Sequence, residues 1–121
     1  MITGTGIDIT EVSRLRQAVE KWGNDFLNRV FTAEELKNAK TRGSLYQHLA
    51  GRFAAKEAVF KALGDKNLGW KDVSILNNKD GKPYCIIFNN KADKVDVYIS
   101  ISHVKTYAVA SAIVVPKKKR S

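Results

Sequence analysis

One stretch limits what this chain can become: Gly51-Arg52-Phe53-Ala54-Ala55-Lys56-Glu57-Ala58-Val59-Phe60-Lys61-Ala62-Leu63-Gly64. It is rich in strong helix formers, with no proline and no glycine between its two ends. Upstream, Ser44 and Gln47 have the spacing of a capping box. Downstream, Gly64 stands where helices end in a left-handed residue. At about 100° per residue, Leu49, Phe53, Phe60 and Leu63 form a large apolar arc, and Ala50, Ala54, Ala58 and Ala62 form a small-residue arc. Glu57 and Lys61, one turn apart, fall in or beside the gap between the arcs. A surface helix has one wide polar face, and this one lacks it. The pattern therefore predicts a helix covered on two sides, with Glu57 and Lys61 pointing into a cleft. The plainer alternative is an exposed i,i+4 ion pair of about 0.2–0.5 kcal/mol.

The rest of the chain supplies that cover. Residues 2–9 alternate as a strand, with Ile7 and Ile9 on one face and Gly4, Gly6 and Asp8 on the other. The glycines are expected to clear room around the Asp8 carboxylate. A lone Asp there can equally be a cap or turn residue. Gly-x-Gly without a third glycine or a Lys-Ser/Thr is not a nucleotide loop. Thr10 is expected to cap a helix to about Trp22, with Val12, Leu15, Val19 and Trp22 as its buried stripe. Arg14, Gln17 and Lys21 lie on another face. Phe26 to Phe31 follows the Gly23-Asn24-Asp25 break as a short helix or turn. Thr32 and Glu35 make a second capping box, opening a helix to about Lys40, and Thr41-Arg42-Gly43 is a loop. Strands are expected around Val73–Ile75, Tyr84–Phe88, Val95–Ile101 and Tyr107–Val115, with turns at 77–83 and 89–94 and a hairpin tip at Ser102–Thr106. This order, β-α-α-α-β-β-β-β, implies an α+β fold with helices packed on a mostly antiparallel sheet.

With 121 residues, the expectation is a single domain over 1–115 and a basic tail over 116–121. Cys85 is the only cysteine, so no intrachain bridge is expected, which fits a reducing, cytoplasmic setting. No signal peptide and no apolar run of ~18 residues is evident, so no membrane association is expected. The net charge is +9, and removing the four positives of Lys117-Lys118-Lys119-Arg120 leaves +5. Such a balance points to anionic partners: nucleic acid, a phosphorylated small molecule or an acidic protein.

Asp8 and Glu57 are the plausible metal pair. Two carboxylates without His or Cys favour a hard cation, Mg²⁺ or Mn²⁺, which draws its other ligands from water and substrate phosphate. Lys61 could reach the same phosphate, and Arg52 offers a second phosphate fork. His103 could bind phosphate, serve as acid or base, or cap a turn. A Ser102/His103 hydrolase is excluded, since neighbouring strand residues face opposite ways and no Gly-x-Ser-x-Gly elbow exists.

Gly6-Ile7-Asp8-Ile9, Arg52-Phe53-Ala54-Ala55-Lys56-Glu57-Ala58 with Lys61, Gly81-Lys82-Pro83 and Ser100-Ile101-Ser102-His103 occur in that order. This set resembles bacterial holo-acyl-carrier-protein synthases, the small homotrimeric class of 4′-phosphopantetheinyl transferases, over nearly the whole chain. The resemblance implies that family's fold. It also implies transfer of 4′-phosphopantetheine from coenzyme A to a serine of apo acyl carrier protein, releasing adenosine 3′,5′-bisphosphate, with fatty-acid synthesis the default setting. It implies further that Asp8 and Glu57 hold Mg²⁺ against the coenzyme A diphosphate, that a carboxylate or a water on the metal takes the serine proton, and that Lys61 assists the leaving phosphate. Arg52 and His103 match positions that contact coenzyme A phosphates, and Arg14 matches a basic position facing the acidic carrier. Sites would lie between subunits of a homotrimer, with no role for nucleic acid. The alternative from another class is a non-catalytic basic module binding RNA or another anion, although no RNA-binding motif is present.

Overall fold

A computed structural model describes residues 1–41, 43–88 and 92–118. Arg42, part of the turn expected at 89–94 and the Arg120 end of the tail lie outside the described residues. The order is β1 (Gly4–Glu11), α1 (Val12–Trp22), α2 (Asn24–Val30), α3 (Ala33–Lys40), α4 (Leu45–Leu63), a 3₁₀ turn (Trp70–Asp72), β2 (Val73–Asn77), β3 (Pro83–Ile87), β4 (Val95–His103) and β5 (Tyr107–Pro116). The fold is α+β with antiparallel pairing throughout the described strands.

Four helices follow β1 where three were expected. Gly23 adopts φ 55°, its N–H donating to Val19 O while its C=O accepts from Leu27 N. One glycine thereby ends α1 and starts α2 at once, and the segment left open as a turn becomes helical. The strands form two sheets instead of one. β5 is the centre of a β1-β5-β4 sheet, and β2 pairs with β3. No ladder joins the two sheets among the described residues.

α4 is the element on which both sheets, α1 and α3 pack. Its alanine face meets the three-stranded sheet, where β1 and β5 present mostly small residues, Gly4, Gly6, Ala108, Ala110 and Ala112, and β4 adds Ile99 and Ile101. A Cβ on Gly6 would lie 2.0 Å from Ala58 O, and one on Gly4 2.1 Å from Ala62 O. The space beside Asp8 is thus filled by the backbone of α4, which corrects the expectation that the glycines clear room for the carboxylate. The large apolar arc packs elsewhere. Trp70 stacks on Phe53 and meets Phe60 edge-on, with centroids 5.1 and 5.0 Å apart.

Period two in β1 is as expected, and the structure shows which of its faces is covered. Ile7 and Ile9 are 65% and 63% exposed, while Gly4, Gly6 and Asp8 face the helix. Three further local expectations fail. Thr10 remains in β1, and its hydroxyl donates to Asp8 Oδ2 at 3.1 Å rather than capping α1. Ser44 is left-handed at φ 45°, a backbone that aims its side chain away from the helix, and it makes no side-chain cap. Trp22, at the last turn of α1, is 59% exposed with Lys21 over its ring, because no element covers that end. The Thr32/Glu35 box and the left-handed Gly64 end of α4 both form.

Candidate active site

Asp8 sits on the inner row of β1 where it crosses α4. Period two turns it toward the helix, and Gly6 lets the helix approach closely enough for side chains one turn apart on α4 to reach it. Lys61 Nζ donates to Asp8 Oδ1 at 3.2 Å and to Ile7 O at 2.9 Å. Asp8 is 16% exposed at its side chain and Lys61 54%, so the pair stands at a rim. Glu57, one turn before Lys61, lines the same cleft as Asp8. Burial first, then the negative charge of Asp8, push the Glu57 carboxyl above the usual carboxylate range, while Lys61 pulls it down. A half-buried carboxyl whose ionisation is disfavoured by a neighbouring carboxylate forms, with that neighbour, a site suited to a cation.

The cleft is open, about 610 Å³, and Arg14, Thr10, Phe53 and Tyr107 complete its walls. Four expected residues, Asp8, Glu57, Lys61 and Arg14, are therefore brought together. Arg52 and His103 are not among them. They line a second cavity of about 140 Å³ with His48, Asn77, Gly81 and Pro83. Arg52 is only 3% exposed. Its guanidinium donates to Asn38 Oδ1, to Asn77 Oδ1 at 2.9 Å and to His48 O at 3.3 Å. His103 ends β4, with Nδ1 3.1 Å from Gln47 Oε1 and its ring edge-on to His48.

A family model described as the 4′-phosphopantetheinyl transferase superfamily matches residues 4–112. The chain is 43% identical to the holo-[acyl-carrier-protein] synthase of Halothermothrix orenii, over 93% of this chain and 97% of that one. It is 44% identical to that of Alkaliphilus oremlandii, over 95% and 100%.

The chain belongs to the holo-[acyl-carrier-protein] synthase family.

Solved structures of the family agree with this. The synthase from Bacillus anthracis, in complex with CoA (3′,5′-ADP), superimposes with a TM-score of 0.82 at 38% identity, covering 98% of this chain and 99% of that one. The Helicobacter pylori synthase in complex with coenzyme A gives 0.84 at 30% identity, covering 92% and 99%. Membership in a transferase family sets aside the non-catalytic basic module. No helix among the described residues is long and apolar enough to cross a membrane.

Two features of this synthase were missed from sequence. Thr10, read as a cap, orients Asp8. Lys56 and Glu35 form a fully buried ion pair at 2.5 Å. A signal for the second existed. Lys56 is seven residues from both Leu49 and Leu63, about two turns each way, and so lies on their apolar arc.

Proposed function

We infer that this chain transfers the 4′-phosphopantetheine group from coenzyme A to a serine of apo acyl carrier protein, giving holo acyl carrier protein and adenosine 3′,5′-bisphosphate. The observation that carries the reading is the β1–α4 crossing, where Asp8 and Glu57 line one cleft and Lys61 is bonded to Asp8. The serine oxygen attacks the pantetheine-side phosphorus, the phosphoanhydride P–O bond breaks, and the bisphosphate leaves. The serine proton passes to a carboxylate of the pair. Lys61, half in solvent, turns from Asp8 to the leaving phosphate oxygen and offsets its growing charge.

Asp8 and Glu57 fit Mg²⁺, or Mn²⁺ in its place. They are hard oxygen donors, their mutual repulsion disfavours the ionised pair without a counter-charge, and no third metal-ligating side chain joins them among the described residues. Bound there, the cation would supply Lewis-acid neutralisation of the diphosphate. Arg14 is proposed to meet the acidic carrier at the cleft mouth.

Arg52 and His103 are proposed to bind coenzyme A phosphate in a homotrimer whose sites lie between subunits. Two features support this. Within one chain the Arg52/His103 cavity is separate from the Asp8 cleft. The outer face of the three-stranded sheet also exposes Ile7, Ile9, Tyr98 and Ile113. Light scattering should give three chain masses, and a stable monomer with full activity would exclude the arrangement. Coenzyme A as substrate and a lone cysteine favour a cytoplasmic protein, which fractionation checks.

The decisive test is intact-mass analysis after incubation with coenzyme A, Mg²⁺ and apo carrier proteins. The expected result is a gain of one phosphopantetheine, stopped by chelator and restored by Mn²⁺. No gain on any of several carriers would overturn the reading.

A further inference from the structure

We propose that Lys56 and Glu35 are positioning residues for catalysis: their buried pair fixes the rotation and register of α4, and so aims Glu57 and Lys61 at Asp8. The proposal rests on the reading of Glu57 and Lys61 given above.

The two sides of α4 differ in what they can specify. Toward the three-stranded sheet α4 is held by apolar packing: Gly4 and Gly6 lie against its backbone, Ala110, Ala112 and Ile99 pack with its alanines, and Ile101 sits on Gly51. Such contacts hold the helix close but are non-directional and weaken gradually with a small shift. Toward α3 and β2 the contact is polar, directional and dry. Lys56 Nζ donates to Glu35 Oε1 at 2.5 Å and to Val30 O at 2.8 Å. Glu35 Oε1 also accepts from Thr32 N, and Oε2 from Ile75 N, each at 2.8 Å. Both side chains are 0% exposed. One carboxylate thus ties the start of α3, the middle of α4 and strand β2, while the ammonium adds the end of α2. Such bonds tolerate only small shifts before a buried charge loses a partner. Glu57 follows Lys56 directly, about 100° around the helix, and Lys61 lies just over one turn beyond. A clamp at Lys56 therefore sets where both point. Misplacement of reacting groups by about 1 Å can cost about 100-fold in rate.

The test separates holding the fold from aiming the site. Glu35→Gln/Lys56→Met removes both charges at similar volume, and Glu35→Leu/Lys56→Met serves if the first pair does not fold. Neutral replacement of a buried ion pair is often tolerated, so native circular dichroism and a cooperative melt are expected, with a lower melting temperature from the lost bonds to Val30 O, Thr32 N and Ile75 N. The proposal expects kcat to fall about 10- to 100-fold, KM for the carrier to stay within about threefold, and Mn²⁺ affinity measured by electron paramagnetic resonance to weaken by about tenfold. A folded double variant with kcat and Mn²⁺ affinity within about threefold of the parent overturns it. Glu57→Gln runs in parallel. Parent-like turnover and Mn²⁺ binding in that variant would instead overturn the site reading, and this proposal with it.

Discussion

α4 carries two lysine–carboxylate pairs five residues apart in sequence, and they have opposite characters. Lys56–Glu35 is fully buried at 2.5 Å, with each oxygen of the carboxylate bonded. Lys61–Asp8 spans 3.2 Å at the rim of an open cleft, with the lysine 54% exposed. In the first, the partners have nowhere else to go: burial holds the Lys56 pKa below the usual lysine range, and the Glu35 charge offsets only part of that. In the second, water and ligand oxygens can compete for the ammonium, so the lysine can change partner. Burial makes one pair a fastener, and exposure makes the other exchangeable, as group transfer to a phosphate requires.

The largest effect should come from the exposed cluster. Asp8→Asn or Glu57→Gln should lower turnover at least about 10²–10³-fold while leaving thermal stability nearly unchanged, since no buried partner is orphaned. Near-parent rates by intact-mass assay would remove both from the chemistry. Next comes the contrast between the lysines. Lys56→Met alone leaves Glu35 buried without its counter-ion and should cost about 3–5 kcal/mol in urea unfolding. Lys61→Met should cost less than about 1 kcal/mol yet cripple transfer. Equal stability losses would erase the distinction drawn here.

Gly6→Ala pries at the crossing itself, because the new Cβ would meet Ala58 O at 2.0 Å. It should destabilise by about 1–3 kcal/mol or more and depress activity by lifting Asp8 from α4. A fully active, stable variant would mean the approach is not needed. A smaller effect concerns pH. With its pKa raised, Glu57 in the folded, metal-free chain keeps a proton that the unfolded chain has already lost. This group's contribution to stability therefore falls as pH rises from the ordinary carboxylate range through the raised value. Carboxyl NMR should show Asp8→Asn bringing the Glu57 midpoint down and Lys61→Met moving it up, and no response to either would deny the coupling. The smallest effect is a reporter on the buried side. Burial pushes the Cys85 thiol up to about 12, with Glu35 adding to the rise. Alkylation at pH 8 should be slow in the parent and faster in Glu35→Gln, which removes one cause of the rise and leaves Lys56, which opposes it; equal rates would deny the coupling.

Much of this architecture was legible because its cause is local. Thr32 and Glu35 lie three residues apart, and their capping box forms as read. Gly64 ends α4 because a left-handed residue is cheapest as glycine. Where the reading failed, a distant partner had redefined a residue. Gly4 and Gly6 looked like space for a ligand, but a helix some fifty residues later occupies it. Ser44 had the letter of a cap and the wrong backbone angle. The alternation of β1 was legible, but which of its faces is covered was not, because alternation separates two faces without saying which is inside. Asp8, Glu57 and Lys61 were named together from the sequence, and the structure brings them to one crossing. Arg52 and His103 were grouped with them, yet in one chain they line another cavity.

The amino-acid order by itself determined the helix of residues 45–63, the strands around it and the spacing of its acid and base, because backbone periodicity and end-capping act over a few residues. Only the tertiary structure decided which side of that helix would pack on the sheet and which would be clamped by a buried ion pair, and which of its two lysines would be sealed in. Those outcomes depend on whether Asp8 or Glu35 arrives beside a given turn, and that is set by packing between residues more than twenty positions apart.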